Sequence, residues 1–140
     1  MAEPEAMREE KERHHYVVRQ MADFYQPLMD ISSDGVAIYL DDEHKLCNQN
    51  LADMCGYSIE EWSALRPFLD TFVAAESRED AAATYEEVSS TGISKISEQT
   101  WLRKDGTKFR IQMAITPVIS GDDLFTLMLV KALAPRFMGI

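Results

Sequence analysis

Two cysteines, Cys47 and Cys55, three histidines, His14, His15 and His44, and the run Asp41-Asp42-Glu43-His44 hold most of the metal-binding, redox and nucleophilic potential of this 140-residue chain. Cys47 and Cys55 lack the CxxC spacing of a zinc or redox pair, and no second pair stands nearby, so they read as small apolar residues of a strand and a helix. The acidic run offers oxygen to a hard cation but lacks the spacing of a calcium loop, which favours a solvated turn. His14-His15 could titrate near neutrality, yet an exposed helix face accounts for them more simply. No GxSxG elbow, Walker loop, HExxH or dinucleotide fingerprint occurs. Proton transfer needs a buried acid–base pair, and the apolar segments offer little beyond Tyr39, Tyr57 and Tyr85. The residues point to binding rather than catalysis.

Composition supports a single folded domain: hydrophobic residues make up 46% and charged residues 27%, near globular averages. Fourteen basic against twenty-four acidic residues give a net charge of −10, which repels phosphate backbones and anionic membranes. Nucleic acid and membrane are therefore not expected as partners. No apolar run approaches the roughly 18 residues of a membrane span, and the first residues lack the apolar core of a secretion signal. With two cysteines and no disulfide framework, the expected compartment is the cytoplasm.

Positioning those residues requires helices first. Glu3 to Arg13 alternates acids and bases as a solvated helix does, and downstream Val17, Met21, Phe24 and Leu28, broadened by Val18, Tyr25 and Met29, form an apolar stripe. Pro27 should disturb this helix near its end, and Ser32-Ser33-Asp34-Gly35 supplies a turn. Val36–Leu40 and Leu46–Asn48 read as strands. Asn50 with Asp53, Ser58 with Glu61 and Ser77 with Asp80 then match capping patterns, predicting three helices, with Gly56 and Gly92 closing the first and third. In the third, Ala81, Tyr85 and Val88 form the buried face. Phe109, Ile111, Met113 and Ile115 alternate with polar residues, as a sheet with one apolar face requires. Lys104-Asp105-Gly106 and Ser120-Gly121-Asp122-Asp123 make turns. Leu124 to Val130 is apolar on both alternating faces, which predicts a central strand covered twice. The first helix covers its back, either within one chain or across a two-fold interface; the homodimer is favoured, with Val17, Val18, Met21, Phe24, Tyr25 and Leu28 as its interface.

The order of these elements resembles the PAS domain family over about Leu28 to Leu133. Its anchors are Asp34-Gly35-Val36-Ala37-Ile38, Asn48-Gln49-Asn50-Leu51-Ala52, Gly56-Tyr57-Ser58-Ile59-Glu60-Glu61-Trp62 and Lys104-Asp105-Gly106-Thr107. The resemblance implies an α+β fold: a five-stranded antiparallel sheet with short helices on one face, enclosing a small cavity, and an N-terminal amphipathic helix. It divides the chain into a dimerising or signal-transmitting helix at 1–27, the domain at 28–133 and a tail at 134–140, where Ala134-Pro135-Arg136 stops regular structure. PAS-related blue-light sensors carry an Asn-Cys-Arg-Phe-Leu-Gln run, and nothing like it follows Trp62. Yellow-protein relatives use a later cysteine, but none lies beyond Cys55. Oxygen-sensing haem members use a histidine of the long helix, and Ser77 to Gly92 has none. Neither a flavin–cysteine adduct nor haem on that helix is therefore expected.

Family shape and side-chain period together place Ile38, Met54, Trp62, Phe68, Phe72 and Tyr85 around the cavity. Val88, Trp101, Phe109, Ile111 and Met113 complete this expected lining. Such bulk suits a small apolar ligand and equally suits a filled core. The implied function is a sensory or regulatory domain in signal transduction that senses a ligand or partner and passes the change through its flanking helix. No kinase, cyclase or DNA-binding output accompanies it, so the effector would be a further part of a larger protein or a separate partner. A ligand-independent dimerisation or docking module and a small cone-like α+β hydratase or isomerase are the alternatives.

Overall fold

The apolar stripe and the acid–base alternation upstream of it form one continuous helix, α1 (Glu5–Asp30), in a computed structural model that describes residues 4–134. Pro27 lies inside α1 rather than ending it. In the last turn the missing donor frees only the carbonyl of Asp23, and both residues are exposed, so water can replace the bond. The helix thus runs into the segment assigned to the domain. Residues 135–140 of the expected tail lie outside the described residues.

Beyond the turn come β1 (Gly35–Asp41) and β2 (His44–Cys47), then α2 (Gln49–Cys55), α3 (Ile59–Ala64), α4 (Phe68–Phe72) and α5 (Ala75–Thr91). Strands β3 (Lys95–Leu102), β4 (Lys108–Ser120) and β5 (Asp123–Ala132) follow. They form one five-stranded sheet in the order β2-β1-β5-β4-β3, antiparallel at every pairing. Four helices rather than three separate β2 from β3: the five-residue α4 has no side-chain cap and follows Pro67 directly.

Side-chain caps start α2 and α3 but not α1, α4 or α5, and two expectations are corrected. Ser58 and Glu61 form the expected capping box on α3. Helix α2, however, is capped by Asn48, not Asn50. Nor does Ser77 cap a helix; α5 begins at Ala75, and the Ser77 hydroxyl accepts the Thr100 N–H at 2.9 Å, tying α5 to β3. The start of α5 is fixed by the Ala74 N–H donating to the Thr100 carbonyl and by the bridge between Val73 and Trp101. Gly56 and Gly92 occupy the left-handed conformation as C-caps, with φ of 84° and 72°.

The pleat sorts side chains onto two faces. Ala37, Ile111, Met113, Ile115, Met128 and Val130 join the core beneath α2 to α5. Val36, Ile38 and Phe125, with Leu127 and Val118 beside them, face the other way and pack under Val18, Met29, Val17 and Met21 of α1. β5 is central and carries apolar side chains to both layers, as its composition requires. α1 covers its own sheet. Of the residues expected at an interface between copies, Val18 is buried within its own chain, Val17 and Met21 are partly so, and Phe24, Tyr25 and Leu28 are exposed. None of the described helices is long and apolar enough to cross a membrane.

An ion pair adds to the docking of α1: Arg13 Nη1 donates to Asp123 Oδ2 at 2.6 Å, where β5 begins, and His14 Nε2 stands 3.2 Å from Oδ1. The Arg13 hydrogen bond, with further help from charge, holds the Asp123 carboxyl below its ordinary value. A depressed carboxyl stabilises the fold above its unfolded pKa, about 3.9, and loses that contribution as pH falls through the folded value. Asp123→Asn is therefore expected to lower the melting temperature at pH 7, with the gap to the parent closing below about pH 4; a gap independent of pH would contradict the pairing.

Candidate functional site

The helical layer leaves a cavity of about 310 Å³ against the sheet. Tyr39 of β1 and Met128 of β5 supply its floor, with Gln99, Met113 and Ile115 alongside. Pro67, Phe68 and Leu69 form one wall and Ala81, Ala82, Tyr85 and Glu86 of α5 the other, while Asp42 closes an end. Two alanines one after the other on α5 help make this space, because the helix approaches the sheet there without filling it.

Of the lining expected from sequence, Phe68, Tyr85 and Met113 face this cavity. Trp62, Phe72 and Trp101 are fully buried beside it as packed core. The Trp62 and Phe72 rings stack with centroids 5.0 Å apart, and Phe68 meets Phe72 at 5.2 Å and Trp101 at 5.7 Å. Phe68 thus has one side in the core and the other in the cavity. Val88, Phe109 and Ile111 are buried in the same core, and Met54 packs against it. Ile38 is a correction: strand alternation points Ala37 and Tyr39 toward the helices and Ile38 toward α1.

The polar groups at the cavity were largely missed by sequence reasoning. Asp42, read as part of a solvated turn, accepts at Oδ1 from the Tyr39 hydroxyl and from the Phe68 N–H, both at 3.1 Å. Its carbonyl accepts from the buried Lys45 ammonium at 2.7 Å. Gln99 is buried, and its Oε1 accepts from the Trp101 indole N–H at 2.9 Å. One signal was available: Gln99 lies two positions before Trp101, so a strand that points the indole inward points the amide inward too.

These surroundings fix protonation. Burial, reinforced by the Asp42 carboxylate, pushes the Tyr39 phenol well above its ordinary value, so it is a hydrogen-bond donor at neutral pH rather than a base. Burial also lowers the Lys45 ammonium. Cys47 and Cys55 are fully buried, and burial pushes both thiols up to about 12. A thiol held there carries almost no thiolate at neutral pH. The cavity can therefore recognise a ligand by shape and a few hydrogen bonds. Its charged lining residues are Asp42 and Glu86, both acidic.

No protein-family model and no curated protein matches the sequence. Among solved structures the chain is similar to a PAS domain from Colwellia psychrerythraea, at 16% identity over 86% of this chain and 99% of that one, with a TM-score of 0.67. A PAS domain from a two-component sensor histidine kinase gives 0.65 at 16% identity, covering 82% of this chain and 98% of its own. The PAS domain of a LuxR-family transcriptional regulator from Burkholderia thailandensis, solved with ethanol, gives 0.62 at 14% identity over 78% and 96% of the two chains. The chain has the PAS fold.

Proposed function

We propose that this chain is a sensory or regulatory PAS module that takes a small, largely apolar ligand, neutral or cationic, between α4, α5 and the sheet, and passes its presence to α1. The supporting observation is that two strands serve both places at once. In β1, Tyr39 lines the cavity while its neighbours Ile38 and Leu40 pack with the α1 layer. In β5, Met128 lines the cavity while Leu127 packs with that layer. A ligand that moves the strand backbone at Tyr39 or Met128 moves a residue under α1 with it, and a ligand preferring one arrangement shifts the population toward it. The acidic lining disfavours an anion. Neighbours drawn from a histidine kinase and a transcriptional regulator support a signalling effector as partner, and the net charge of −10 disfavours direct nucleic-acid contact.

Thermal shift with indole and short alcohols as probes tests this reading. A ligand of the folded state alone raises the melting temperature with concentration, by about 2.7 kcal/mol of stability at one hundred times Kd. Ala82→Trp, placing an indole at the cavity, should abolish the response while the variant still folds. If no probe shifts the parent protein, the ligand-sensing reading fails.

A second reading, homodimeric docking, is favoured by a separate observation. Phe24 and Ile31 are 73% and 80% exposed, and Leu28 lies exposed between them. Beside them, Met21, Tyr25, Leu28, Phe125, Leu127 and Leu129 line an apolar groove of about 320 Å³ on the outer sheet face. Exposed apolar surface of this kind supports association with a second copy of the chain. Phe24→Glu is the clean test, because Met21 also packs within the chain: the variant should sediment as a monomer where the parent is a dimer. A parent that is monomeric at all concentrations would remove this reading.

A further inference from the structure

Where the N-terminal half of α1 crosses the β1–β2 hairpin, three elements bring nitrogen and oxygen ligands together. His14 comes from α1, Asp41 from the end of β1 and His44 from the start of β2. One ligand atom from each lies within 4.8 Å of the others. We infer that His14, Asp41 and His44 form a binding site for a borderline divalent transition-metal ion of the zinc type. This site lies outside the ligand cavity, and the inference stands whether or not that cavity takes a ligand.

Donor chemistry selects the ion class. Two imidazoles and one carboxylate suit zinc, nickel or copper and suit magnesium and calcium poorly, since the hard cations take oxygen. Asp41 is already oriented for the role. Its Oδ1 accepts from the backbone N–H groups of Glu43 and His44 at 2.9 and 2.8 Å. Its Oδ2 faces His14 Nδ1 at 3.7 Å. His44 Nδ1 lies 2.8 Å from Asp41 Oδ1. Donor atoms of a tetrahedral zinc site stand about 3.3 Å apart, so side-chain shifts of up to about 1.5 Å close the site around an ion.

The surroundings supply the support that ligating histidines require. A coordinating imidazole commonly donates its other N–H to a carboxylate, which sets the tautomer. His14 has such a partner: Nε2 stands 3.2 Å from Asp123 Oδ1. Arg13 Nη2 lies 3.1 Å from the same nitrogen and competes for it in the metal-free protein. Coordination through Nδ1 places the proton on Nε2, where Asp123 accepts it. At His44, coordination through Nδ1 places the ring proton on Nε2 and replaces the contact with Asp41. The Glu10 carboxylate, 3.8 Å from His14 Nε2, adds negative charge nearby. A bound ion would clip α1 to the hairpin, making metal supply a second input to the helix that carries Phe24 and Ile31.

The test is calorimetric titration of the full, tag-free chain with zinc chloride, with magnesium chloride as comparison. One equivalent of zinc should bind and magnesium should not. His14→Gln and His44→Gln should each weaken zinc binding by at least about tenfold, whereas His15→Gln, whose ring lies 6.2 Å from that of His44, should retain it. His44 is buried and its variant could misfold; His14, only partly buried, then decides the matter. No binding up to about 1 mM zinc, undiminished binding in His14→Gln, or loss confined to His15→Gln would overturn the assignment.

Discussion

Asn48→Ala is expected to destabilise the protein by at least about 3 kcal/mol, because one buried side chain serves three elements at once. Its Oδ1 accepts from the Val36 N–H of β1 and from the Leu51 N–H in the first turn of α2, both at 3.0 Å. Its Nδ2 donates to the carbonyl of Met29 in α1 at 2.8 Å and to that of Asp34 at 3.0 Å. Asn48 is 1% exposed, so water cannot replace these bonds without rearrangement. Each orphaned buried backbone group costs about 1–3 kcal/mol, against a total stability of about 5–15 kcal/mol. Asn50→Ala is the comparison: exposed Asn50 donates to the Ser32 carbonyl, and its loss should cost less than about 1 kcal/mol. Urea denaturation of both variants measures the difference, and equal midpoints would refute the account.

Phe72→Ala is expected to cost about 3–5 kcal/mol, the range for truncating a fully buried aromatic. Phe72 is 0% exposed and touches Trp62, Phe68 and Tyr57. The hole would open behind Phe68, whose other side faces the ligand cavity. An apolar void of that kind stays dry and accepts apolar guests. Indole or benzene should therefore raise the melting temperature of Phe72→Ala by more than it raises that of the parent. A loss below about 1 kcal/mol would show that Trp62 and Phe68 collapse into the space.

The sheet was the most legible part of the sequence. Alternation from Phe109 to Ile115 marked β4, and the two-sided apolar run from Leu124 to Val130 identified β5 as central, because a period of two reports how many faces are covered. It does not say which residue faces which layer, and Ile38, expected at the cavity, packs under α1. Capping motifs are short and recur: Asn48 and Asn50 both precede apolar helical residues, and only the contacts to Val36, Met29 and Asp34 single out Asn48. α4 is too short to show a period. The Asp41–His44 run reads as hydrated turn chemistry locally. It becomes a buried edge at His44 and Lys45, with Asp42 at the cavity and His44 beside His14 of α1, through packing between elements distant in sequence.

β1 pairs with β5 from Gly35 opposite Val130 to Tyr39 opposite Thr126, so the middle of the sheet joins residues roughly ninety positions apart. A ribosome adding about 5–20 residues per second leaves the β1–β2 hairpin without its inner neighbour for on the order of ten seconds. Throughout that interval Val18 and Met29 have no completed platform to settle on, because Phe125 of β5 belongs to the layer they pack against.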